Sequence, residues 1–300
     1  MHMFHEGECV ETVSVIIATY RRNETLKRAI ESVLNQTYND IELIVVDDNA
    51  DAERNAEVCD IVNIYPAVKY IQNKENKGSA MTRNIGISEA EGEFITFLDD
   101  DDIYLPEKIE HQLNDMIKHN ADFSVTDLFL YNERDKLIDK RIRGYITDYN
   151  PEQLLKNHLM HHITGTDTLM FKKSYLEKIG GFPPIDVGDE FYLMKEAICG
   201  GGKLVYTKGC FVRAYVHTET DGLSSNMSKI NGENSLYEYK KTMFGSLDKK
   251  SVKYIKMRHH AVLAFAYLRM KKYVKFAKHS AYSFLNSPIF FIKLLVGYER

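Results

Sequence analysis

Residues 13–19 (VSVIIAT), 41–46 (IELIVV) and 94–98 (FITFL) are short apolar runs rich in β-branched side chains, the composition of strands buried on both faces. Another, shorter strand, third in chain order, is expected at 68–72. Between these runs lie segments with helical spacing. In 24–35, Leu26, Ala29, Ile30, Val33 and Leu34 recur along one face, and helices are also expected at 52–63, at 78–90 with Gly78 near the start, and at 106–119. Strands alternating with helices imply βαβ units and a mostly parallel α/β sheet. In such sheets ligands bind at the carboxyl ends of the strands. Here those ends carry Thr19-Tyr20, Asp47-Asp48 and four consecutive aspartates at 99–102, which should converge on one cleft.

The second half is less regular. Strands are expected at 122–131, 168–172, 203–207 and 211–216. One short helix is expected at 174–179, stopped by Gly180-Gly181, and another at 189–199, closed by the glycines at 200–202. From about residue 226 the pattern is helical to the end, and Pro288 opens a last short amphipathic segment. With 300 residues there is room for one large α/β domain and a smaller appendage. The expected division is a domain at 1–225, with halves at about 13–120 and 121–225, followed by a helical extension at 226–300.

Charge divides the chain at nearly the same place. From residue 240 to 300 there are 14 Lys and Arg against two acids, a balance of +12, so with −4 overall the remainder carries −16. No run reaches the roughly 18 apolar residues that span a bilayer. The best, 289–296, is too short and contains Lys293. Residues 1–11 are acidic and polar, without the apolar core of a signal peptide. Cys9, Cys59, Cys199 and Cys210 form no CxxC pair and read as free thiols in a reducing compartment. A cytoplasmic location is the resulting expectation.

Four aspartates after a buried strand repel one another unless something positive sits among them. Mg²⁺ or Mn²⁺ would relieve the repulsion, since hard cations take carboxylate oxygens, and the same ion could neutralise a departing diphosphate. A solvated acidic loop capping the next helix is the plainer alternative. Asp47 and Asp48 repeat the strand-then-acid pattern, suited either to hydrogen bonding a base or ribose or to an Asx turn. A G-x-G-x-x-G, a G-x-x-x-x-G-K-[ST] and a G-x-S-x-G are all missing, which disfavours dinucleotide-binding dehydrogenases, P-loop NTPases and α/β-hydrolases.

As an ordered set, VSVIIATYRR, SVLNQTYNDIELIVVDDNA, NKGSAMTRNIGISEAEGEFITFLDDDDIYLPEKIE and KKSYLEKIGGF resemble the family-two inverting glycosyltransferases of the GT-A fold over roughly 13–225. The resemblance implies a nucleotide-sugar donor, typically a UDP-sugar, a Mn²⁺ or Mg²⁺ cofactor, and a glycan or lipid-linked acceptor of bacterial surface-polysaccharide synthesis. On the donor side it implies Thr19 and Tyr20 lining the base and ribose pocket, Asp48 on the base, Arg83 on the nucleotide and Asp100 on the ribose. Asp99 and Asp101 correspond to the DxD pair, with Asp101 the direct metal ligand. The family usually has a small residue where Asp100 stands, which blurs which carboxylates bind metal. His217 matches a histidine that completes the metal or diphosphate site. In GDEFYLMK the general base is implied at Asp189, with Glu190 as the alternative. Gly188 replaces the family's Glu, and Lys195 stands where it has Arg. The segment holding Gly165 and Thr166, preceded by His161 and His162, matches the acceptor side.

The basic tail interleaves cations with an apolar stripe through Ile255, Val262, Phe265, Ala266 and Leu268. It reads as a helical hairpin packed on the domain, or as an attachment to an anionic membrane surface at the inner face of the cell membrane. The acidic body opposes nucleic-acid binding. Two rival functions remain. A sugar-phosphate nucleotidyltransferase would need a glycine-rich phosphate loop where Tyr20-Arg21-Arg22-Asn23 stands, and a non-catalytic nucleotide-sugar-binding protein would fit the departure at Gly188.

Overall fold

A computed structural model describes residues 11–185, 188–216 and 226–296. In chain order the first half contains β1 (Val13–Thr19), α1 (Asn23–Leu34), β2 (Ile41–Asp47), α2 (Ala52–Val62), β3 (Val68–Gln72), α3 (Ser79–Glu89), β4 (Phe94–Asp99), the two-residue β5 (Ile103–Tyr104) and α4 (Lys108–Lys118). The second half contains β6 (Phe123–Asn132), β7 (Leu137–Arg141), α5 (Pro151–His161), a 3₁₀ turn (Thr166–Thr168), β8 (Leu169–Lys172), α6 (Lys173–Lys178), α7 (Asp189–Cys199) and β9 (Leu204–Val216). Four helices follow: α8 (Asn226–Lys241), α9 (Lys249–Arg269), α10 (Tyr273–Asn286) and α11 (Pro288–Val296).

All nine strands join one sheet, in the order β3-β2-β1-β4-β8-β6-β9-β5, with β7 paired to β6. β1 pairs in parallel with β2 and β4, and β6 pairs in parallel with β9; β8 runs against both β4 and β6. Six strands therefore point the same way, and their carboxyl ends share one edge.

Burial explains why the strand runs are apolar throughout. Val13, Val15 and Ile17 pack with Leu26, Ile30 and Val33 of α1 and with Ile109 and Leu113 of α4. Ile16, on the opposite face, packs with Ile87 of α3, with Phe97 and with Phe171. Each such side chain contributes about 1.5–3 kcal/mol when fully buried. α3 approaches β1 so closely at Gly86 that a Cβ there would lie 2.4 Å from Ile16 Cγ2.

Three expectations need correction. The strands expected at 203–207 and 211–216 are one, because Gly209, at φ +136, absorbs an irregularity in the pairing with β6 without ending the strand. α5, β5 and β7 were not foreseen; α5 opens with Asn150 accepting from the Glu152 N–H and Pro151 in the first turn, a local start signal without strong periodicity. In the tail, Phe265 and Leu268 are exposed, whereas Tyr254, Met257, Leu263, Ala264 and Tyr267 are buried with Ile255. α9 is covered on two sides, so a single stripe does not describe it. Ile255 packs on Leu159 of α5 and Phe191 of α7, while Ser283 of α10 donates to the Met257 carbonyl at 2.8 Å. Among the described residues no helix is long and apolar enough to cross a membrane.

The close approach at Gly86 sets a test. Gly86→Val should lower stability by about 1–3 kcal/mol through overpacking, whereas Gly245→Ala, where a Cβ meets open space, should shift it by less than about 0.5 kcal/mol. Urea unfolding of both variants measures the difference.

Candidate functional site

The four aspartates leaving β4 face four different partners. Asp99 Oδ1 accepts from Arg83 at 2.7 Å. Asp100 turns inward, accepting from the Thr19 hydroxyl at 2.8 Å and the Tyr20 N–H at 3.2 Å, and so ties the end of β4 to the end of β1. Asp101 is paired with Arg22. Asp102 accepts the Tyr215 N–H at 2.8 Å and faces Asp167. Burial, reinforced by Asp101, pushes Asp100 up to about 7.

Asp167 lies in the 3₁₀ turn and accepts the Asp99 N–H at 2.7 Å. Carboxylate oxygens of Asp99, Asp102 and Asp167 all fall within 4.8 Å of one another. Burial and then neighbouring carboxylates raise both Asp102 and Asp167, the latter to about 7. Beneath them, Lys108 is fully buried, bonded to the hydroxyls of Thr96 and Tyr104, and held well below the usual lysine range by burial.

On the β2 side, Asp48 is buried. It accepts from Asn73 Nδ2 and the Lys77 N–H, both at 2.8 Å, and from the Gly78 N–H at 2.9 Å, which fixes the entry into α3. Gly78 holds φ +78, a conformation that glycine adopts without penalty. Tyr20 is exposed, with Arg21 stacked on its ring at 4.9 Å.

Arg83, on α3, connects this edge to the second half. Its two terminal nitrogens divide between Asp99 at 2.7 Å and Asp189 at 3.0 Å, and its guanidinium lies 5.4 Å from the Phe182 ring. Burial opposes the charge, yet Asp99 and Asp189 outweigh it and raise the pKa. Asp189 is the first residue of α7 and is buried. Gly188 before it holds φ +84, which a side chain would adopt only under strain, so glycine suits this turn into the helix. Burial, with Asp189 beside it, raises Glu190 to about 8. Lys195 pairs with Glu196 at 2.7 Å on α7.

Of the residues expected on the acceptor side, His162 lies beside α7. Gly165 is at φ +116, a conformation in which a side chain would be strained, and its carbonyl accepts from the Thr168 hydroxyl. Thr166 is buried. His162 caps α5, contacts Lys240 Nζ and lies 5.2 Å from the Phe191 ring. His161 stacks on Tyr145 and bonds the Tyr254 hydroxyl at 3.1 Å. His217 lies outside the described residues. The structure thus gathers Thr19, Tyr20, Asp99, Asp100, Asp101, Arg83 and Asp189 at one edge. Sequence reasoning included Asp102 only as part of the 99–102 run and missed Arg22 and Asp167; Arg22 was visible in TYRR only as a residue that was not glycine.

Among the described residues, the carboxylates grouped closely enough to hold a divalent cation are Asp99, Asp102 and Asp167, next to Asp101. Their oxygens are hard donors suited to it, and the guanidinium on Asp101 shows that this end takes positive charge, from a side chain that is itself substantially exposed.

A family model described as "Glycosyl transferase family 2" matches residues 14–180. An uncharacterized glycosyltransferase of Rickettsia felis is 36% identical over 169 residues, covering 56% of this chain and 28% of that protein. The UDP-Glc:alpha-D-GlcNAc-diphosphoundecaprenol beta-1,3-glucosyltransferase WfgD of Escherichia coli is 34% identical over 145 residues, covering 48% and 55%. The chain thus spans 28% to 55% of the length of these relatives. Among solved structures, S. aureus TarS 1–349 in complex with UDP-GlcNAc aligns with a TM-score of 0.58 at 16% identity, covering 92% of both chains. That likeness bears out the expected GT-A architecture with its helical extension.

Arg83→Met would leave two carboxylates facing each other without their shared cation. The variant should lose about 3–5 kcal/mol of stability, read by urea unfolding; a loss below about 1 kcal/mol would show that the bridge is not structural.

Proposed function

The chain belongs to glycosyl transferase family 2, and from that premise we propose that it transfers a sugar, with inversion, from a UDP-sugar to a hydroxyl group of a lipid-linked glycan. The observation that carries this reading is the Arg83 bridge, which holds a strand-end carboxylate, Asp99, and a helix-start carboxylate, Asp189, on opposite nitrogens of one guanidinium. One belongs to the donor half of the sheet and the other to the acceptor half. The donor and acceptor named for WfgD, and the UDP-GlcNAc bound to TarS, support the substrate classes.

In this reading Thr19 and Tyr20 line the nucleoside pocket and Asp48 stands beside the base, with Arg83 against the nucleotide. Asp100 holds the two strand ends that shape the ribose pocket. Asp101 and Asp99 would hold Mn²⁺ or Mg²⁺, with His217 as the further candidate ligand, and the ion would supply charge neutralisation for the diphosphate. Arg22, paired with Asp101 and partly exposed, would be free to meet the phosphates if a metal took its place on that carboxylate. Asp189 accepts the proton of the acceptor hydroxyl while its oxygen attacks the anomeric carbon. The bond from that carbon to the phosphate oxygen breaks, and UDP departs on the opposite face. Arg83 fixes the position of Asp189, and Glu190 is the neighbouring carboxyl that would replace it as base. Gly165, Thr166 and His162 border the acceptor.

The helical extension suits an acceptor embedded in a bilayer. Val274, Leu285 and Ile289 are 85%, 74% and 71% exposed, and Lys271 and Lys272 just before α10 and Lys275 and Lys278 on it are exposed as well. Apolar side chains flanked by lysines match an anionic membrane surface, and the enzyme would then work at the cytoplasmic face.

Asp189→Asn should reduce kcat by about 10²–10⁴-fold, the contribution of a general base, with UDP affinity retained. Thermal shift with a panel of UDP-sugars and Mn²⁺ should show stabilisation that Asp101→Asn abolishes. Full turnover by Asp189→Asn would remove the assigned base, and no response of the wild type to any nucleotide sugar would remove the proposed function.

A further inference from the structure

The family resemblance assigns Asp167 no role, yet the turn that carries it is held from three directions. From α4, Gln112 Nε2 donates to the Thr168 carbonyl at 2.8 Å. From β4, the Thr96 hydroxyl donates to the Leu169 carbonyl at 2.6 Å. From the segment after β7, Arg143 reaches the Thr164 carbonyl and, at 3.3 Å, the Thr168 hydroxyl. Gln112, Thr96, Arg143 and Thr168 are all buried. Buried carbonyls must find donors somewhere, and here the donors come from separate elements. A shift of the turn would break several of these bonds at once.

Lys108 belongs to the same brace. It is fully buried, and its Nζ donates to the Thr96 hydroxyl at 2.5 Å and to the Tyr104 hydroxyl at 3.0 Å, lying 4.1 Å from the centre of the Tyr104 ring. Each hydroxyl that accepts from Lys108 is left with its own proton for a carbonyl. Thr96 gives its proton to Leu169, and Tyr104 gives its proton to Phe97 at 2.5 Å. Lys108 thus sets the direction of both hydroxyls, and one of them grips the chain two residues beyond Asp167.

What this brace presents to the donor edge is one oxygen. β8 pairs with β4 over residues 94–96, so the ladder on that side ends before Asp99. Asp167 Oδ1 supplies the missing acceptor, taking the Asp99 N–H at 2.7 Å. The Asp99 carboxylate takes one nitrogen of Arg83 at 2.7 Å, and the other nitrogen takes Asp189 at 3.0 Å. A continuous series of bonds therefore runs from α4, through Asp167 and the Asp99 main chain, to the proposed base.

We propose that Asp167 is a positioning residue for the transfer: it acts on the Asp99 main chain, and so fixes the strand end from which Asp99 and Asp101 would meet a metal and from which Asp99 aims Arg83 at Asp189. The assignment rests on the glycosyl-transfer reading above. The grouping of Asp167 with Asp99 and Asp102 raises a rival role, that of a direct metal ligand. The two roles make different demands. A ligand of a hard cation needs its negative charge, whereas a positioning acceptor needs an oxygen at a fixed place. Asparagine separates them, because its amide oxygen accepts from the same position without the charge.

The test uses the full chain as wild type, Asp167→Asn and Asp167→Ala. Exchange of the Asp99 amide is read by NMR in EDTA, and UDP affinity in Mn²⁺ by calorimetry. In the wild type the Asp99 amide should exchange slowly before any metal is added. Asp167→Asn should keep that protection and bind UDP in Mn²⁺ within about threefold of the wild type, whereas Asp167→Ala should bind about 10- to 100-fold more weakly. In Asp167→Ala the Asp99 amide should exchange about tenfold faster or more, with the amides of Ile16 and Ile44 in the sheet unchanged, which separates a local loss from a global one. If Asp167→Asn weakens binding as much as Asp167→Ala while Asp99 stays protected, Asp167 is a ligand and the proposal is overturned. Wild-type affinity in Asp167→Ala would overturn it as well. Fast exchange of the Asp99 amide in the wild type would overturn it without any variant, so the proposal remains testable if Asp167→Ala does not fold. Release of free sugar from a UDP-sugar is followed in the same wild-type preparation. Release together with any of these contrary results defeats this proposal alone, whereas no release defeats the reading beneath it.

Discussion

A single guanidinium holds the two halves of the site together. Arg83 is buried, and a charge in that position is tolerated because Asp99 and Asp189 each take one of its nitrogens. Every other arrangement at the edge follows from where that cation stands. α3 must lie against β1 closely enough to aim Arg83 at the end of β4, which is why Gly86 carries no side chain against Ile16. α7 must begin where Asp189 can reach the other nitrogen, and Gly188 turns the chain to bring it there. A lysine at this position would offer a point charge without the fork that spans two carboxylates.

The aspartates at 99–102 show how identical neighbours acquire different chemistry. Arg83 takes Asp99, the Thr19 hydroxyl takes Asp100, Arg22 takes Asp101, and Asp102 turns towards Tyr215 and Asp167. Two of the four are buried and raised, which spreads the negative charge unevenly. Asp99 and Asp101 are the pair with a guanidinium beside each, Arg83 and Arg22. The repulsion inferred from the sequence is thus relieved in part by protein groups, and the metal assigned to this end would replace Arg22 as the cation on Asp101.

Much of this was legible because it is local. β1, β2 and β4 are doubly buried, so their apolar runs declare them, and the boundaries of α7 coincide with Asp189 and the glycines after Cys199. The convergence of Thr19, Asp99 and Arg83 could be expected from the motif order. What was missed depends on tertiary placement. Gly209 reads as a break in sequence but is a bulge within β9, and Asp167 gains its meaning only when β8 lies beside β4. Phe265 and Leu268 keep helical spacing, yet neighbours on two sides of α9 select a different buried face. The tail was read as basic and amphipathic; that Lys240 turns into the protein towards His162 could not be seen from charge alone.

The central claim is that Asp189 and the departing diphosphate act on opposite faces of the donor sugar. The most direct measurement is proton NMR of the free sugar first released from an α-linked UDP-sugar when water takes the acceptor's place, recorded before mutarotation. Single displacement predicts that the β anomer appears first. Initial release of the α anomer would contradict it and require a different arrangement of nucleophile and leaving group.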